Sequence, residues 1–268
     1  MVWTQTSVAM MQLNAPLLVP SDFLLPDWPA PAQVRAIATS RALHTAFGVS
    51  TGVFAGLNLG DHVGDEPDAV SANRQALQQA LGLTQAPLWL SQVHGTRVLN
   101  ADTELHSDNI ADASVTCQHG LASVVMTADC LPVLFCNQQG TQVAAAHAGW
   151  RGLCDGVLEA TVACFDQSHD VLCWLGPAIG PSAFEVGAEV RAAFISKDPQ
   201  AAAAFVPSTH DGKWLADIFL LARQRLRAVG VNKIYGGGVC TVSDPTRFYS
   251  YRRDGQTGRL ASLVWLTN

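Results

Sequence analysis

Residues 127–152 read TADCLPVLFCNQQGTQVAAAHAGWRG. Two short apolar or β-branched runs, LPVLFC (131–136) and TQVAAAHA (141–148), are bounded by turn residues and predict adjacent strands. Their near-continuous apolar character marks strands covered on both faces. Into this buried setting the chain places a carboxylate (Asp129), a thiol (Cys130) and an imidazole (His147), followed at once by a guanidinium (Arg151). Burying a lone carboxylate is expensive, so Asp129 is either tied to nearby structure or functional.

Working outward, PLWLSQVHG (87–95), TRVLN (96–100), ADASVTC (111–117) and LASVVMTADC (121–130) extend the β pattern upstream, and RAIAT (35–39) is a further strand. FGVSTGVFAGLNLG (47–60) is a loop punctuated by glycine, whose backbone can approach a ligand closely. The segment DEPDAVSANRQALQQALGL (65–83) opens with acids and a proline and repeats apolar residues at Val70, Leu77 and Leu81, which predicts an amphipathic helix. Downstream the pattern predicts helices over 153–165, 186–195 and 217–229, strands over 171–175, 233–235, 247–251 and 263–266, and an obligatory loop at GPAIGP (176–181). Strands cluster first and then mix with helices. That order predicts an α/β (α+β) fold, a single layered domain over 34–268 with mixed sheets flanked by helices, after a Pro-rich lead-in over 1–33.

The chain has 268 residues, 49% of them hydrophobic, ample for one large core. A net charge of −6 leaves no basic excess to neutralise phosphates, which argues against nucleic acid and anionic membrane as partners. No Lys or Arg precedes Arg35, and no apolar run approaches the roughly 20 residues of a membrane helix, so a soluble, cytoplasmic protein is expected. Seven cysteines, an odd number without a CxxC pair, read as reduced thiols.

Three polar side chains stand at strand ends beside glycine: His94 in SQVHG, Cys130 in TADCLP and His147 in AHAGWRG. Two imidazoles and a thiolate suit Zn²⁺ and leave a fourth position open, the composition of a catalytic zinc site. The ligands are far apart in sequence, and satisfied buried histidines with a core cysteine would give the same letters. A third reading makes Cys130 a nucleophile and His147 its base. In favour of the metal reading, Asp129 beside Cys130 and Arg151 at a helix start would place a potential base and an anion clamp near the same point. FYSYRRDGQTGR (248–259) pairs aromatics with arginines, suited to stacking a flat ring and binding an anion, or to an ordinary hairpin turning at Asp254-Gly255. NLGDHVGD (58–65) offers polar groups among glycines, or simply a turn before a helix.

Taken together, LNLGDHVGD with Asn73-Arg74, SQVHGT, TADCLPVL, AAHAGWRG, WLGPAIGPSAFEVG and FYSYRRDGQTGR resemble the signatures of the YfiH family, also labelled laccase-domain or multicopper polyphenol oxidase proteins. The resemblance runs from about Arg35 to the C-terminus. It implies a YfiH-like, cysteine-hydrolase-type layered fold and a metal site, usually zinc, on His94, Cys130 and His147. It further implies phosphorolysis of adenosine, inosine, guanosine and 5′-methylthioadenosine, with adenosine deamination, so that purine nucleosides and phosphate are the expected partners of a monomer or homodimer. Asp129 and Arg151 match positions flanking the ligands and are carried over as proton carrier and phosphate holder. Asn58, Arg41 and Arg252 are carried over as substrate-binding residues, with Trp150 and Phe248 as candidates to hold the base. One departure is a longer spacing, in which ALHTAF (42–47) separates TSR from GVS and so reshapes the loop after Arg41.

The laccase label can be tested by counting. Four-copper chemistry draws largely on paired His-x-His motifs, whereas this chain has eight histidines and no such pair. Copper remains a possible occupant of a soft His/Cys site, since it outcompetes zinc in raw affinity. Two further alternatives are a thiol hydrolase or amidase acting on a peptidoglycan-precursor-like substrate, and a non-catalytic binding protein that keeps zinc for stability.

Overall fold

Alternation of side chains across each strand builds two sheets that share one apolar layer. In chain order the elements of the computed structural model are β1 (Val34–Ala38), α1 (Pro67–Ala80), β2 (Val98–Asn100), α2 (Ala101–Glu104), β3 (Ala113–Thr116), β4 (Ala122–Thr127), β5 (Leu131–Asn137) and β6 (Val143–Ala148). Then follow α3 (Trp150–Asp155), α4 (Val157–Val162), β7 (Val171–Leu175), β8 (Glu185–Gly187), α5 (Ala188–Lys197), β9 (Phe205–Pro207), β10 (Lys213–Ala216), α6 (Ile218–Ala228), β11 (Lys233–Gly236), α7 (Tyr251–Asp254) and β12 (Leu260–Leu266). The structure describes residues 21, 23–43, 47–104 and 108–267. Most of the expected lead-in, and half of the 42–47 spacer, lie outside them.

The larger sheet is mixed, in the order β11-β7-β5-β6-β3-β2, and the smaller is antiparallel, β1-β12-β4. In β5, Leu131, Val133 and Phe135 face helices α3 to α6, while Leu134 and Cys136 face the small sheet. In β12, Val264 and Leu266 meet them across that layer, and Ala261, Leu263 and Trp265 point the other way, onto Leu57, Leu59 and Leu77. The result is four layers: α1 with its loop, the small sheet, the large sheet and the helices. Each fully buried Leu or Phe in them is worth about 1.5–3 kcal/mol of transfer free energy.

The predicted strands over 35–39, 96–100, 111–117, 131–136, 141–148, 171–175 and 233–235 are present within a residue or two of their expected ends. Pro67 opens α1 at its first turn and Asp217 caps α6 through Leu220 N–H at 2.9 Å, as the sequence signals require. Other segments differ. Residues 87–95 make only single bridges, at Leu88 and Ser91, because the run passes from Ser123 in the small sheet to Ile110 ahead of β3 and stays beside neither for long enough to form a ladder. The helix expected over 153–165 is two short helices, starting at Trp150 and broken at Gly156, whose φ of +109° lies outside the helical range. Residues 185–187 form a strand before α5, pairing with β10 in a third, small sheet. The segment 247–251 is not a strand and Asp254-Gly255 is not a hairpin turn: Ser250 caps α7 through Arg253 N–H at 3.2 Å, and the local hydroxyl cap wins over the β-like composition.

Candidate metal centre and its cleft

The alternation that builds the layers also aims the site. His147 follows Val143 and Ala145 on the face of β6 that looks toward the small sheet, and lies opposite Pro132 of β5. Cys130 stands just before β5. Asp112, just before β3, accepts a hydrogen bond to its carbonyl from the backbone N–H of His147 at 2.7 Å. The three positions therefore meet at the open end of the layer between the sheets. His94 arrives from the 91–95 loop with φ +61°, held there because its N–H donates to Asp112 Oδ1 at 2.9 Å.

Cys130 Sγ is 3.8 Å from His94 Nε2, and ligand atoms of His94, Cys130 and His147 lie within 4.8 Å of one another. The two imidazole rings stand edge to face, 4.8 Å between centroids. Bonds of about 2.0–2.3 Å to a tetrahedral ion would place such donors roughly 3.3–3.6 Å apart, so a small inward movement completes the set. His147 donates from Nδ1 to Asp112 Oδ1 at 2.8 Å, which leaves Nε2 free to bind a metal. Among the described residues this is the one cluster of three or more such ligands.

Asp112 organises the centre. Besides His147 and His94 it accepts the N–H groups of Val93 at 3.1 Å and Gly95 at 2.7 Å, both on Oδ2. Burial alone would raise its pKa, but the hydrogen bonds from His147 and the backbone hold it below the usual carboxylate range. The thiol responds to the same environment. Burial pushes Cys136 up to about 12, yet Cys130, which burial also pushes upward, falls to about 6 because His147 and His94 favour its thiolate. His147 is raised in turn to about 9: burial opposes the shift, and Cys130 and Asp112 outweigh it. Gly149 permits the close packing, since a Cβ there would lie 2.6 Å from His94 Cδ2 and 3.2 Å from Cys130 Sγ.

A cleft of 290 Å³ opens over the cluster, walled by Gln92, Met126, Thr127, Ala128, Tyr251 and Arg259, with His62 at its edge. Tyr251 is 63% exposed, which leaves its ring free to cover a flat ligand. The flanking residues expected to act here are placed differently. The Asp129 carboxylate accepts from Thr241 Oγ1 at 2.6 Å, Ser250 Oγ at 3.0 Å and Arg252 N at 2.6 Å, so it ties the β4–β5 turn to the C-terminal segment, at a strained φ of +88°. Arg151 lies over the Trp150 ring, 4.5 Å away. Arg41 donates to the carbonyls of Pro245 and Ala55, and Arg252 to those of Ala183 and Glu185. Asn58 is wholly buried; its Oδ1 accepts from Gly60 and Arg259 N–H groups, and its amide donates to Asp65. Phe248 is fully enclosed, which removes it as a stacking surface.

Two cleft-organising residues, Asp112 and Arg259, escaped the sequence reading. A carboxylate opening a buried strand, as Asp129 does, was the available signal for Asp112. Nothing in the run of three arginines of FYSYRRDGQTGR distinguishes the one that faces the cleft.

These features define a mixed α/β protein with a His₂Cys centre at the mouth of two packed sheets. The family model described as multi-copper polyphenol oxidoreductase laccase matches residues 37–267. A purine nucleoside phosphorylase named YfiH from Escherichia coli is 54% identical over 247 residues, covering 92% of this chain and 99% of that protein. A purine nucleoside phosphorylase from Pseudomonas aeruginosa is 56% identical over 245 residues, covering 91% and 98%. Among solved structures, a Neisseria meningitidis protein shares 51% identity with a TM-score of 0.87 over 92% of this chain and 100% of its own, and YlmD from Geobacillus stearothermophilus shares 28% with a TM-score of 0.77 over 90% and 94%. The chain belongs to the YfiH, or laccase-domain, family.

Proposed function

We propose that this protein is a zinc-dependent purine nucleoside phosphorylase, with adenosine, inosine, guanosine and 5′-methylthioadenosine as substrates and adenosine deamination as a second reaction of the same centre. The observation that carries the metal assignment is the Asp112–His147 pair, a carboxylate holding an imidazole so that its other nitrogen joins Cys130 and His94. The purine nucleoside assignment is supported by relatives that carry that name at more than half identity along nearly their whole length. A zinc ion supplies Lewis acidity and lowers the pKa of bound water when present. The donor set suits one soft or borderline ion, which favours zinc over a multicopper assembly; copper could occupy it adventitiously.

The chain's own groups do the rest. Tyr251 and Met126 offer an apolar wall for the purine, and Gln92, which exchanges hydrogen bonds with the Met126 backbone at 2.7 and 2.8 Å, fixes that wall in place. In phosphorolysis a phosphate oxygen forms a bond to the ribose C1′ as the C1′–N9 bond breaks. The electron pair leaves with the purine, which takes up a proton. Asp129, with its carboxylate already accepting three hydrogen bonds, is assigned to positioning Cys130 and α7. Arg41, Asn58 and Arg252 brace the loops around the cleft. Among the described residues no helix is long and apolar enough to cross a membrane, in keeping with a cytoplasmic enzyme that acts on free nucleosides.

The test is incubation of the zinc-loaded protein with adenosine, with and without phosphate, reading products by mass spectrometry. Adenine and ribose 1-phosphate should form only with phosphate, and inosine in either case. Absence of all three overturns the proposal. A second reading, thiol hydrolysis by Cys130 and His147, is favoured by the thiolate character of Cys130; it requires turnover of an amide by metal-free protein that iodoacetamide abolishes.

A further inference from the structure

From the placement of Arg259 we infer that the cleft contains a built oxyanion subsite, and that this side chain, rather than Arg151, binds the phosphate. The inference rests on the phosphorylase reading and names the residue that reading lacks.

Among the described residues Arg259 is the one guanidinium lining the cleft, which it shares with Tyr251, Cys130 and His147. Its backbone N–H is pinned to Asn58 Oδ1 at 2.8 Å. Its Nη1 donates to the carbonyls of Thr257 at 2.9 Å and Gly258 at 3.0 Å, which fixes the plane of the head group. Among the described residues, Nε and Nη2 have no protein acceptor and no carboxylate forms an ion pair with the guanidinium within 4 Å. The contrast with its neighbours is instructive: Arg253 is paired with Asp254, Arg74 with Asp61 and Arg247 with Asp244. A partly buried guanidinium with one edge fixed and two donors left over is an incomplete pair, and a planar fork of this kind suits two oxygens of a phosphate. Burial lowers the pKa of Arg259 from its ordinary value, opposed by the charges of Cys130 and Asp129, and a guanidinium starting above about 12 remains cationic at neutral pH, so it can give an anion a counter-charge. Those nearby charges are themselves committed: Cys130 belongs to the metal cluster and the Asp129 carboxylate is filled by Thr241, Ser250 and Arg252. The ligand class is therefore a tetrahedral oxyanion, inorganic phosphate in the forward reaction and the phosphate of ribose 1-phosphate in reverse.

The test compares wild type with Arg259→Met and Arg259→Lys, each zinc-loaded, with metal content and circular dichroism as controls for folding. The phosphate KM with inosine should rise by about 10- to 100-fold in Arg259→Met, the loss expected for hydrogen bonds to a charged partner, with the inosine KM changed far less. Arg259→Lys should recover part of the phosphate KM because it keeps the charge but not the fork. Titration calorimetry with inorganic phosphate alone should show the same order. A phosphate KM unchanged in Arg259→Met, with wild type clearly phosphate-dependent, overturns the subsite and leaves the phosphorylase reading standing. A wild-type rate independent of phosphate, with no heat of phosphate binding, overturns both. If Arg259→Met fails to fold, the Lys variant decides alone, since a wild-type phosphate KM there refutes the need for a two-oxygen fork.

Discussion

Replacing Asp112 by Asn keeps the shape and removes the charge at the junction of four hydrogen bonds. Oδ1 accepts His94 N–H and His147 Nδ1–H, and Oδ2 accepts the N–H groups of Val93 and Gly95. An amide has only one oxygen, so it can serve one of these pairs. If it keeps the backbone pair, its NH₂ group confronts His94 N–H and His147. The imidazole then recovers a bond only by moving its proton to Nε2, the nitrogen that a metal needs. Two bonds to an ionised acceptor contribute about 3–6 kcal/mol together, and one recovered neutral bond returns about 1, so the metal-free protein should lose roughly 2–5 kcal/mol. Zinc affinity should fall about 10- to 100-fold, as for other carboxylates behind metal-binding histidines. Urea unfolding of metal-free protein measures the first, and competition with a chromophoric chelator the second. A variant with wild-type unfolding midpoint and wild-type zinc affinity would refute the role given to Asp112.

Further outcomes follow from the same geometry. Cys130→Ala and His147→Ala should lose bound zinc and nucleoside turnover together, whereas Arg151→Ala, its side chain lying over Trp150, should keep both within about twofold, as metal analysis and product assays will show. Gly149→Ala should leave the backbone unstrained at φ −62° but weaken zinc binding about tenfold or more, because its Cβ intrudes on His94 and Cys130; unchanged zinc stoichiometry under chelator challenge contradicts this. In metal-free protein at pH 7, iodoacetamide should label Cys130 ahead of the exposed Cys117 and Cys164, whose thiols burial holds above their ordinary pKa, and zinc should protect it; peptide mass mapping reads the order. Asp244 is nudged up by burial but held below the ordinary carboxylate range by Arg247 and Thr246, so its contribution is present above about pH 4 and fades as pH falls through its folded value. Asp244→Asn should therefore cost up to about 1 kcal/mol at pH 7 and progressively less below pH 4, measured as urea midpoints across pH.

The three members of the candidate metal cluster stood out in the sequence because they lie at strand ends beside glycine, where a buried run must explain a polar side chain, but position alone left a buried His/Cys core open as well and the family resemblance was needed to group them. The layered fold was legible from the apolar runs, which are long enough in β4 to β6 to show their period. The third sheet was not, since β8, β9 and β10 span three or four residues each and alternate too briefly to register. The residues expected to bind substrate, Arg41, Asn58 and Arg252, are not among those lining the cleft, for a shared reason. Arginine and asparagine next to tight loops satisfy carbonyls and amides first, as Arg41, Arg252 and Asn58 do, and composition cannot say which one is left over. The short helix α7 turns Arg252 and Arg253 away and brings Arg259 round to the cleft, a direction set by three-dimensional closure alone.

That closure has a consequence for synthesis. The last strand, β12, lies between β1 and β4, pairing Val34 with Leu266 across nearly the whole chain. During translation the first strand leaves the ribosome with no partner and waits for more than two hundred residues to follow. Asp129 likewise waits for Thr241, Ser250 and Arg252, and the cleft for Tyr251 and Arg259. A nascent chain lacking β12 cannot present the finished pocket, so the cleft should form only once residues 251–266 have emerged from the ribosome, and loss of β12 should cost the protein its small sheet.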